Sequence, residues 1–252
     1  MRRYLYLAFG LLAYVSFVGT LLTGIAFVGD FGLRHTIDGG PRATAPGQAL
    51  LIDCALIALF ALQHSGMARR SFKAFTRRCV PEALERSAYV LAASLSLGLL
   101  FWQWRPVGWT AWQIDSASAQ AALWGAYALG WLIVLLCCFL LSHTHLFGMG
   151  PVWAYWQRRP YREPEFRMHL VYRYVRNPQM LGFLICFWAA PTMTFGRLLL
   201  ASSSVMYILI ALRLEQRDLL YQHGDSYAAY CRHTPLLIPR PWRRLAAAPA
   251  AD

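Results

Sequence analysis

Val171-Tyr-Arg-Tyr-Val-Arg-Asn-Pro-Gln-Met-Leu-Gly182 opens the stretch on which the reading of this chain turns. It runs into two apolar segments with almost no loop between them. It closes on Leu214-Glu-Gln-Arg-Asp-Leu-Leu220, His223-Gly224, Tyr227, Tyr230 and Pro235-Leu-Leu-Ile-Pro239. Polar residues therefore crowd both ends of an apolar hairpin, and a hairpin brings its two ends to one membrane face. The rest of the chain reads as a housing for a site at that face.

Composition agrees. Of 252 residues, 58% are hydrophobic and 14% are charged, against roughly 25% charged in a soluble domain. The fold class is all-α integral membrane protein, as one domain over residues 1–252, with a four-helix N-terminal part at 1–150 and the hairpin and tail at 171–239. Basic residues outnumber acidic ones 24 to 12. The arginines cluster between apolar segments, which points to lipid headgroups and topology and excludes nucleic acid. The six cysteines form no CxxC pair and read as buried thiols.

A spanning helix needs about 20 mainly apolar residues. Leu5–Val28 supplies the first; residues 4–29 carry no charge, more than a signal-peptide core. Ala49–Gln63, Ser87–Trp104 and Ala121–Leu141 follow. Met180–Phe195 and Leu198–Leu212 close the set, giving about six transmembrane helices. Residues 69–86 and 158–176 each carry six basic side chains, whereas the loops around 105–120 and 197 carry one each. The positive-inside rule puts the two basic loops, and with them both termini, in the cytoplasm. His64, His143, His145, Tyr172, Arg176, Asn177 and Glu215 then share the inner face. The loops opposite are expected to hold little chemistry.

Asn177-Pro178 has the composition of a helix cap followed by a first helical residue, and cations just before a helix N-terminus suit a carboxylate. Glu215 and Asp218, at i and i+3, occupy neighbouring positions on one helix face, with Arg213 and Arg217 interleaved. Gly224 is placed to end that helix, leaving Tyr227 and Tyr230 to a short segment of their own. His143 and His145 diverge by roughly 200° on a helix and cannot chelate one metal there; no metal is expected. A nucleotide sheet motif is also absent. A histidine of this set has the chemistry of a proton acceptor or hydrogen-bonding group.

The closing segment, Tyr172-Arg-Tyr-Val-Arg-Asn-Pro-Gln-Met-Leu-Gly182 with Leu214-Glu-Gln-Arg-Asp-Leu219 and His223-Gly-x-x-Tyr-x-x-Tyr230, resembles the isoprenylcysteine carboxyl methyltransferase and phospholipid methyltransferase superfamily. Upstream, Phe60-Ala-Leu-Gln-His-Ser-Gly-Met-Ala-Arg69, Glu85-Arg-Ser-Ala-Tyr-Val-Leu91, His145-Leu-Phe-Gly148 and Phe187-Trp-Ala-Ala-Pro-Thr-Met193 resemble the bacterial methanethiol S-methyltransferases. NnrU-like membrane proteins share less of this pattern. The resemblance implies an enzyme that uses S-adenosylmethionine to methylate a small thiol, methanethiol giving dimethyl sulfide, with S-adenosylhomocysteine as by-product. It implies cofactor contacts at Tyr174, Val175, Arg176, Asn177, Pro178, Met180, Gly182, Glu215, Gln216, Tyr227 and Tyr230. The acceptor is expected at Gln63, His64, His145 and Phe147, with His64 or His143 as base and Arg176 as a positive field. The chain departs from the family at Asn177 (usually His), Met180 (usually Tyr) and Gln216 (usually Glu). The alternatives are another acceptor (a larger thiol, prenylcysteine or a lipid amine) or a non-catalytic NnrU-like membrane protein.

Overall fold

The computed structural model describes residues 1–40, 45–140, 142–162 and 170–239. Much of the second basic loop and the end of the tail therefore lie outside the described residues. The elements run α1 (Arg2–Gly29), α2 (Pro46–Ala68), α3 (Arg70–Thr76), α4 (Glu82–Gln103), β1 (Thr110–Gln113), α5 (Ala117–Leu140), α6 (His143–Leu146), α7 (Met149–Trp156), a 3₁₀ turn at Leu170–Arg173, α8 (Pro178–Trp188), β2 (Thr192–Thr194) and α9 (Phe195–His233). The chain is an all-α integral membrane protein: α1, α2, α4, α5 and the Phe195–Tyr221 part of α9 are each long and apolar enough to cross a bilayer.

Local chemistry sets the helix ends. Pro46 and Pro178 stand in the first turns of α2 and α8, where a missing N–H costs nothing. Glu82 and Glu85 fill the first turn of α4, complementing the positive end of its dipole. The Thr194 side chain accepts a 3.2 Å bond from the Arg197 N–H and so caps α9.

The closing hairpin differs from its sequence reading in one respect. Met180–Phe195 is not a single helix. Its helical part, α8, stops at Trp188 after 11 residues, about 16 Å at 1.5 Å per residue. Pro191 offers no backbone donor, and the chain continues as β2, which pairs antiparallel with β1. Alone α8 is too short to span, so among the described residues five helices of spanning length stand where about six were expected. The expected last span, Leu198–Leu212, is in turn a stretch of the much longer α9, which breaks only at Gly224, whose φ is 50°.

The core lies between α1, α4, α5 and α8, around Phe27, Trp104, Tyr127, Trp131, Val134 and Cys186. There α5 and α8 cross at Gly130 and Gly182. A Cβ on Gly130 would meet Cys186 Sγ at 2.6 Å and the Gly182 carbonyl at 2.8 Å, and one on Gly182 would meet the Gly130 carbonyl at 2.8 Å. Backbone therefore lies on backbone, as membrane helices commonly pack.

The face opposite the basic loops is richer than expected. Arg197, buried, donates to Asp38 at 2.5 Å and to the Val28 carbonyl at 2.9 Å. Thr194 donates to Asp38 at 2.6 Å, and Asp53 accepts from the Arg105 backbone at 2.9 Å. These few charges are used in pairing that ties the 30–40 segment to the start of α9. A charge count per loop missed it because the partners are far apart in sequence.

Gly130→Val should cost about 1–3 kcal/mol by overpacking the α5–α8 crossing, read as a lower unfolding midpoint in detergent. An unchanged midpoint would contradict this packing.

Candidate active site

Residues 171–177 and the chain after Gly224 form one unit. The Arg176 N–H donates to the Pro235 carbonyl at 2.9 Å, and the Asn177 N–H to the Leu236 carbonyl at 3.2 Å. The Tyr230 hydroxyl donates to the Tyr172 carbonyl at 3.0 Å. Asn177 occupies the cap position of α8, but its side chain makes no cap bond. Its amide donates instead to the Leu236 carbonyl at 3.3 Å. The sequence reading of a capped helix start is thus replaced by a tail clamp.

Arg176 is half-buried in this unit. Its Nη1 donates to Cys231 Sγ, and its Nε is buried with no hydrogen-bond partner. Among the described residues no carboxylate pairs with it. Burial pushes the Tyr230 hydroxyl up to about 12, against the opposing pull of Arg176. Burial likewise raises Tyr227, helped by Cys231 and opposed by Arg176. Both phenols keep their protons at neutral pH, so among the described residues no anion offsets Arg176. A guanidinium in that state has the chemistry to take a carboxylate.

The other expected cofactor residues fall around this core in different ways. Val175 and Pro178 are buried and Tyr174 is 57% exposed. Met180 is half-buried. Gly182 faces α5, where its role is helix packing. Glu215 is exposed and Gln216 half-buried on α9, upstream of the break at Gly224. Among the described residues Glu215 makes no ion pair, not even with the interleaved Arg213 or Arg217.

A second polar cluster joins α2, α4 and α9. The Tyr89 hydroxyl lies 3.0 Å from His64 Nδ1 and 2.9 Å from Nε2. Ser65 Oγ and the Tyr207 hydroxyl are 3.1 Å apart. The Gln63 amide accepts from Ser96 at 3.1 Å and contacts Met67 Sδ at 3.1 Å. Rings of Phe60 and Tyr207 flank His64 at 5.2 and 6.4 Å. Sequence reading found Gln63 and His64 but missed Tyr89, Tyr207 and Ser96. The available signal was a hydroxyl in the middle of an apolar span, which is functional by default in a membrane protein.

His143, His145 and Phe147 belong to a third group. His143 packs on Phe139 and Tyr14 with ring centroids 5.2 and 6.4 Å apart. His145 bonds through Nδ1 to the Tyr161 hydroxyl, and Phe147 stacks on Phe17 at 3.6 Å. Arg86 ties this group to α4 through a 3.0 Å bond to the Leu146 carbonyl. The structure brings His64 and Gln63 together, and Arg176 and Asn177 together with Tyr227 and Tyr230. It does not bring His143 or His145 into hydrogen-bonding contact with His64.

A half-buried arginine beside the tail and a histidine-bearing polar cluster between α2, α4 and α9 are the two polar centres of this helical membrane protein, and the relatives that match nearly its whole length are enzymes. Methanethiol S-methyltransferase of Mycobacterium tuberculosis is 44% identical to this chain, covering 96% of it and 99% of that protein. The enzyme of the same name from Crocosphaera subtropica is 41% identical over 95% of this chain and 93% of its own. Nurim of Mus musculus is more distant, at 28% over 83% of this chain and 88% of its own. The chain belongs to the methanethiol S-methyltransferase family. No family model matches it, and no solved structure does.

Tyr230→Phe removes the bond to the Tyr172 carbonyl at a cost of about 1 kcal/mol. Hydrogen exchange across residues 227–236 should accelerate several-fold while the spans stay protected. Unaltered exchange would place the tail's anchor elsewhere.

Proposed function

We propose that the protein methylates methanethiol to dimethyl sulfide with S-adenosylmethionine as donor, at the cytoplasmic face of a bacterial inner membrane with both termini inside. The observation that carries the reading is Arg176, a half-buried cation whose Nε has no partner among the described residues, held in a turn clamped by the tail. Near full-length similarity to methanethiol S-methyltransferases supports the reaction and the acceptor. The basic residues of 69–86 and 158–176 support the orientation.

The donor fits the residues present. It carries a carboxylate, which Arg176 would take, and ribose hydroxyls, for which the exposed carboxylate of Glu215 and the amide of Gln216 are suitable acceptors. Tyr174, Val175, Asn177, Pro178 and Met180 would form one wall, and Tyr227 and Tyr230 the other. Bound there, the donor supplies a methyl group already activated on a sulfonium.

The chain's own residues have two further tasks. One is orientation, which supplies much of the rate of an in-line displacement. The other is removal of the acceptor's proton. A cysteine-like thiol ionises near pH 8.5, and simple alkyl thiols ionise higher, so a base or a positive field is required. His64 is our base. The Tyr89 hydroxyl sits within hydrogen-bonding distance of both its ring nitrogens, and the neighbouring Gln63 is held by Ser96. His143 and Phe147 we assign to packing against α1, where they meet Tyr14 and Phe17, and His145 to packing on Tyr161.

Purified protein supplied with S-adenosylmethionine and methanethiol should release dimethyl sulfide into the headspace. Glu215→Ala should abolish donor binding. His64→Ala should lower turnover about a hundredfold with donor affinity retained. Folded protein that neither binds the donor nor forms the sulfide would refute the proposal.

A further inference from the structure

A cavity of about 150 Å³ lies under α3, between that short helix and the start of α4. Met67, Ala68, Phe72, Val80 and Ala88 supply its apolar side, and Lys73, Thr76, Glu85, Arg86 and Tyr89 its polar side. The space holds a molecule of only a few heavy atoms, since one water takes up roughly 30 Å³. It is far too small for a nucleoside.

Its roof is tied down from one point. Glu85 accepts from Arg77 Nε at 2.9 Å and lies 4.0 Å from Lys73 Nζ. The outer side of α3 is basic and aromatic, with Phe72 37% and Phe75 66% exposed. Cations with exposed rings match the headgroup layer of a membrane. The inner wall is Tyr89. His64 does not line the cavity, yet the Tyr89 hydroxyl is bonded to it. One tyrosine therefore stands between the cavity and the imidazole.

We infer that this cavity is the port by which a short, uncharged alkanethiol passes from the membrane interface to His64, with Phe72 and Ala88 limiting its size and Tyr89 as its inner gate. The inference rests on the proposed thiol methylation. A simple packing void under a helix would not need a hydroxyl at its end joined to the candidate base. A thiol of this class dissolves in the interface, whereas the polar donor arrives from water, so a separate amphipathic entrance at the interface lets each reach the site from its own phase.

The test is a series of methanethiol, ethanethiol and 1-propanethiol at saturating donor, using the full-length protein. Ala88→Leu, which fills the cavity, should raise the methanethiol KM at least fivefold with kcat and donor affinity within twofold of wild type. Phe72→Ala, at a partly exposed position, should shift the kcat/KM ratio toward 1-propanethiol at least threefold. Should Ala88→Leu fail to fold, Phe72→Ala decides alone. Active wild type with both variants unchanged in KM and in acceptor preference overturns the port and leaves the proposed function standing. Wild type that methylates no thiol overturns the proposed function, and the port falls with it.

Discussion

Two backbone hydrogen bonds, Arg176 N–H to Pro235 and Asn177 N–H to Leu236, hold the rest of the site in place. They join the turn before α8 to the chain after α9, and so close the hairpin at its polar end. The Tyr230 bond to the Tyr172 carbonyl adds a third tie across the same turn. A half-buried guanidinium with no counter-anion among the described residues is costly, and the clamp keeps it there. An arriving anionic group would recover that cost, which is the basis of the proposed donor site.

The long helix α9 joins the two halves of the chemistry. Tyr207 reaches the His64 cluster, Glu215 and Gln216 follow on the same helix, and beyond Gly224 the chain turns back to the clamp. Displacement of α9 would thus move the proposed acceptor side and the proposed donor side together. The Asp38–Arg197–Val28 network anchors its far end, so the face without the reaction still sets the geometry of the face with it. Close approach of α5 and α8 at Gly130 and Gly182 fixes the remaining wall.

Much of this was legible from the residues. Charge-free runs of membrane length named α1, α4 and α5 because burial in lipid leaves no other option for such segments, and a shorter apolar run carrying Asp53 named α2. The polar fringes at 172–182 and 214–230 pointed to a single face, and Gly224 marked the break it makes. Other features were hidden for physical reasons. The short α8 follows from Pro191 and from pairing of β2 with β1, strands of three and four residues too brief to carry a periodicity. Asn177 read as a cap because local rules see only neighbours, whereas its actual partner, Leu236, is 59 positions away. Tyr89 and Asp38 escaped for the same reason: their partners His64 and Arg197 lie 25 and 159 positions off.

The central claim is that Arg176, held by the tail, receives the carboxylate of the methyl donor. Titration calorimetry of S-adenosylhomocysteine into the protein in lipid nanodiscs, comparing wild type with Arg176→Met, tests it most directly. The account predicts measurable binding to wild type, weakened at least thirtyfold in the variant, with unfolding midpoints that differ little. Equal affinity in the two proteins would contradict it.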